Sequence, residues 1–123
     1  MAFIGNSVLD GGLDILDTLA DRIDICSQEP TTYTGATSTY TLGNETSITI
    51  SAPADRSGGG REVTISAITS GTVSGTGTAT HFSIVDVSES DLLATGSLSS
   101  SQSVTSGNTF TLTEFTVGIP DPA

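Results

Sequence analysis

Two hydrophobic periods divide this sequence, and together they limit what it can fold into. In VLDGGLDILDTLADRIDI, residues 8–25, an apolar residue stands directly before each of five aspartates: Leu9-Asp10, Leu13-Asp14, Leu16-Asp17, Ala20-Asp21 and Ile23-Asp24. The steps of four, three, four and three follow the helical repeat, so the apolar residues form one stripe and the carboxylates a second, about 100° further round. From Thr46 the period is two. TSITIS (46–51), REVTISAI (61–68) and THFSIVDV (80–87) place Ile48 with Ile50, Val63 with Ile65, and Phe82 with Ile84 on single faces, as strands do. DLLATGSL (91–98) reads as a weaker fourth strand and NTFTLTEFTVGI (108–119) as a fifth. In the fifth, Phe110 and Leu112 have one parity and Phe115 and Val117 the other, which a bulge near Thr113-Glu114 would reconcile.

The sequence therefore predicts a mainly β chain, an antiparallel β-sandwich or open barrel, preceded by one short amphipathic N-terminal helix. The helix is expected from residue 7 to about 25, capped by Asn6 or Ser7 and weakened at Gly11-Gly12. Pro30 ends this first element, giving a helical docking segment over residues 1–26 and a β domain over 27–123. SQEPTTYTGATSTYTLGNE (27–45), PADRSGGG, SGTVSGTGT and SSSQSVTSGN read as turns by composition.

Composition narrows the partners. There are 14 acidic residues, three arginines and no lysine, for a net charge of −11. A phosphate-binding patch cannot be assembled from Arg22, Arg56 and Arg61, so nucleic acid is not expected as a partner, nor is an anionic membrane surface. No stretch has the roughly 18 to 20 apolar residues of a membrane span. MAFIGNSVLDGG has neither the basic region nor the long apolar core of a secretory signal, so synthesis in a cytoplasm is expected. The lone Cys26 reads as a small buried hydrophobe.

The chemistry-bearing residues do not fall into any working pattern. The aspartates have helical spacing, whereas a calcium loop needs acids at alternate positions around a central glycine. RSGGGRE (56–62) has no following lysine and leads into a strand, so it reads as a hairpin loop rather than a phosphate cradle. His81 lies mid-strand without a nucleophile elbow nearby in sequence. No catalytic residue, metal site or cofactor is expected, and the protein reads as a non-enzyme.

What remains is the apolar stripe of Leu9, Leu13, Leu16, Ala20 and Ile23. It packs either on the chain's own sheet or against other copies or another protein. Ile15 and Leu19 widen it beyond one seam, enough for two contacts. The chain has no Trp, two Tyr and four Phe, which leaves the β domain poor in large core residues and favours a helix that docks. The expected partner-contact residues are Leu9, Leu13, Leu16, Leu19 and Ile23.

The pieces CSQEPTTYTGA (26–36), YTLG (40–43), GREVTISA (60–67), GTATHFSIVD (77–86) and TSGNTFTLTEFTVGIPDP (105–122), in this order after a short amphipathic helix, resemble a family of small virion structural proteins of tailed bacteriophages. Phe115 stands where members often have Trp, and Arg61 where they have a basic residue. The resemblance implies a capsid decoration (cement) protein on the virion surface that binds the major capsid protein and its own copies as a homo-oligomer. A tail or fibre component contacting host or carbohydrate is the alternative it leaves open. A carbohydrate-binding sandwich unrelated to phage is a third reading, for which Tyr33, Tyr40 and the four Phe offer few aromatic platforms.

Overall fold

The computed structural model describes residues 4–121. It is mainly β, with 48% strand and 18% helix. The elements are helix α1 (Asn6–Leu19) and strands β1 (Arg22–Cys26), β2 (Thr41–Glu45), β3 (Ala54–Asp55), β4 (Arg61–Ile65), β5 (Ile68–Val73), β6 (Gly77–Asp86), β7 (Asp91–Val104), β8 (Thr109–Leu112) and β9 (Phe115–Ile119), with a π-helical turn at Gly35–Thr39. They fall into two compact units, each discontinuous in sequence, so the expected partition into 1–26 and 27–123 is not the one the fold adopts.

One unit comprises, among the described residues, 4–19, 49–67 and 113–121. Its sheet is antiparallel in the order β3-β4-β9, and it pairs Arg61 with Ile119, Val63 with Val117 and Ile65 with Phe115. Alternation puts these six residues on one face. Val63 and Ile65 are wholly buried there, and α1 lies against β4 and β9. A Cβ built on Gly12 would stand 3.3 Å from Ile119 Cδ1, so the bare glycine lets the helix approach the sheet closely. TSITIS forms no ladder of its own; only Ile50 bridges to Ile65, with the Ser51 amide donating to the Thr64 carbonyl at 2.9 Å.

The other unit comprises residues 20–48 and 68–112. Its six strands run antiparallel in the order β7-β6-β1-β2-β5-β8 and curl into a half-barrel, closer to the expected open barrel than to a sandwich. β1 is interior, pairing Ile23 with Ile84 and Ile25 with Phe82 on one side, and Ile23 with Glu45 on the other. Ile23, Asp24, Ile25 and Cys26 are all buried, as expected of a strand covered on both faces.

This corrects the helix boundary. Helical spacing runs on through Ala20 and Ile23, but RIDIC also alternates, and its β-branched Ile23 and Ile25 favour a strand once two neighbours are there to pair with. The helix stops at Leu19. Two expected single strands are likewise divided: 61–68 breaks between β4 and β5, and 108–119 breaks at Thr113-Glu114, where the chain leaves one sheet for the other instead of bulging. All four segments read as turns contain strand: β2 in 27–45, β3 in PADRSGGG, most of β5 and the start of β6 in SGTVSGTGT, and the end of β7 in SSSQSVTSGN.

Candidate interaction surface of the N-terminal helix

Three stripes run along α1. Leu9, Leu13 and Leu16 are 3%, 3% and 7% exposed, and they form the face turned to its own unit. Each fully buried leucine contributes about 1.5 to 3 kcal/mol. The stripe expected to dock therefore serves folding, because a three-stranded sheet with one apolar face needs a cover and α1 supplies it. Ile23, the last residue of the expected contact set, is fully buried in β1. Leu19 alone of the five remains exposed, at 39%.

A second apolar stripe, roughly a third of a turn round, faces solvent. It consists of Val8 (67% exposed), Ile15 (56%) and Leu19, with Gly11 among them and Ile4 just ahead of the helix. Ile15 and Leu19 are legible in the sequence as a widening of the leucine face. Val8 was missed, although it stands seven residues before Ile15 and so shares its side of the helix.

The carboxylates form the third stripe. Asp10 is anchored: Arg61 donates from Nε to Asp10 Oδ1 at 2.7 Å and from Nη1 to Asp55 Oδ1 at 2.6 Å, tying helix to sheet and raising the guanidinium pKa through these bonds, Asp10's first. Asp14 and Asp17 are exposed. Asp24 is no part of the wet row. It is fully buried in β1, where Arg22 donates to it from Nε at 2.6 Å and Nη2 at 2.7 Å and Thr41 Oγ1 donates at 2.6 Å. The hydrogen bond to Asp24 raises the Arg22 pKa, partly offset by desolvation.

Elsewhere the reactive side chains engage neighbours of their own strands and loops. His81, on β6, lies 2.9 Å by Nδ1 from Thr80 Oγ1 and 3.4 Å by Nε2 from Ser97 Oγ. Cys26 is buried with its Sγ donating to the Ala36 carbonyl at 3.6 Å, and desolvation pushes its thiol up to about 11. The glycine-rich loop between β3 and β4 turns through left-handed Gly58, Gly59 and Gly60, with the Arg56 amide donating to the Gly60 carbonyl at 3.0 Å. Among the described residues no group of three or more His, Cys, Asp or Glu is arranged to hold a metal, and no helix is long and apolar enough to cross a membrane. Comparison with family models, curated proteins and solved structures returns no match.

Proposed function

We propose that this chain is a non-enzymatic structural protein of a tailed-phage virion, a decoration protein that stabilises the head by binding the major capsid protein and its own copies. Support comes from the sequence pieces that resemble small virion proteins, and from one observation in the structure that carries the reading. That observation is carboxylate left unanswered on the surface: Asp14 and Asp17 stand exposed on α1, while Arg22 and Arg61 are engaged with carboxylates of the same chain. A surface of this kind keeps free copies apart and favours association with a basic, preassembled lattice. Many weak copies on a shell then stabilise the assembled state by mass action.

Quantifying the chain in purified particles tests this. Hundreds of copies per particle, released together with loss of head stability, are the expected result. A few dozen copies or fewer would reassign the protein to the tail or fibre. Absence from the particle would end the virion reading.

A further inference from the structure

Resting on that reading, we infer that the outer face of α1, formed by Val8, Ile15 and Leu19 around Gly11, docks in an apolar groove rimmed by lysine or arginine on the shell protein. Helix-in-groove recognition reads residues spaced as these are, and the inner leucines are already committed to the chain's own sheet. Gly11 is the first sign of an external partner. It has no left-handed backbone conformation, and a Cβ there would meet nothing within 4 Å, so neither strain nor packing within the chain calls for glycine. In mid-helix it costs stability relative to alanine. Gly12, one residue on, is explained by Ile119; Gly11 is explained by a partner backbone that comes close.

Charge selects the occupant. Asp14 lies at the edge of the apolar face, three residues on from Gly11, whereas Asp17 lies on the opposite side of the helix from Val8. Asp14, with like-charged Asp10 and Asp17 four and three residues away on the helix, is unfavourable in the free chain and becomes favourable beside a cation. A second copy supplies Arg56 at most, since the chain has only three arginines and no lysine, and Arg22 and Arg61 are paired with its own carboxylates. Arg56 donates from Nη1 to the carbonyl of Gly59 in its own loop. Two such helices face to face would bring acid to acid.

The test is a binding isotherm of the full chain on empty shells assembled from the major capsid protein alone, at low and at moderate salt. Ile15→Ser and Gly11→Leu should each weaken binding at least about tenfold, as expected for lost aliphatic burial and lost close approach. Circular dichroism and melting temperature should stay at wild-type values or higher. Asp14→Lys should slow association and flatten its salt dependence. Wild-type binding left unchanged by Ile15→Ser, Gly11→Leu and a third variant, Val8→Ser, would overturn the docking face and leave the virion reading standing. Failure of the wild type to bind shells would overturn both. Sedimentation of a wild-type dimer that Ile15→Ser makes monomeric would assign the face to a second copy and overturn the basic partner.

Discussion

Asp24 and Cys26, two residues apart on β1, show how single side chains set the tolerances of the half-barrel. Asp24 is fully buried and its charge is held by Arg22 and Thr41. Arg22→Ala leaves that carboxylate without its cation, and the expected loss is about 3 kcal/mol, measured by denaturant unfolding. Cys26 gives a pH signature. Its thiol pKa is raised by burial from 9.0 to about 11, so the unfolded chain releases the proton first as pH rises. Stability from this group is intact below pH 9 and is lost progressively between pH 9 and 11, by roughly 2 kcal/mol at the upper end. Cys26→Ala should remove that part of the alkaline slope, isolated as the difference between the two pH–stability curves. The thiol should also resist alkylation in the native state at neutral pH.

At the scale of elements, α1 carries two apolar faces with opposite consequences. Leu13→Ala should destabilise its unit by about 2 to 5 kcal/mol, as a buried truncation does, whereas Ile15→Ala should leave thermal unfolding almost unchanged. Asp17→Asn removes a carboxylate from the negative end of the helix and should raise stability by about 0.3 to 1 kcal/mol. The sheet edges show a different device. Between Asp91 and Glu114 the sequence has no charged residue, so β7 beyond its first residue and all of β8 lack the charges that usually discourage edge pairing. Register shifts against β6 break the regular run of β7, and the Gln102 side chain pairs with Thr111 of β8, donating to its carbonyl at 2.8 Å and accepting from its amide at 3.3 Å. Gln102→Leu should speed hydrogen exchange at the Thr111 amide and leave the interior strands protected.

These elements were unequally legible. The start of α1 and its leucine stripe follow from a three-and-four spacing that only a helix satisfies. β6 likewise follows from strict alternation through Phe82 and Ile84. The end of α1 was not legible, because Ile23 fits both periods and only pairing with β2 and β6 decides between them. Nor were the divisions at Ser66-Ala67 and Thr113-Glu114, since alternation resumes at once beyond each; the parity switches from Ile65 to Ile68 and from Leu112 to Phe115 are the visible traces. At the helix surface the acidic row and Ile15 could be read, but which apolar stripe faces inward depends on β4 and β9, distant in sequence.

For the whole molecule, charge and topology make separate demands. A net charge of −11 opposes compaction, so added sodium chloride should raise the melting temperature across the range where screening of surface charge becomes effective. Topology governs how the chain is built. The helix at residues 6–19 is covered by β4 and by β9, which ends at residue 119. During synthesis Leu9, Leu13 and Leu16 leave the ribosome about a hundred residues before their cover is complete. For most of translation the nascent chain therefore presents the inner leucines together with Val8 and Ile15, a fully two-sided sticky helix that the finished protein never shows. Newly made chains have a binding surface for chaperones that mature ones lack, and arrest of translation before residue 115 should leave that surface open.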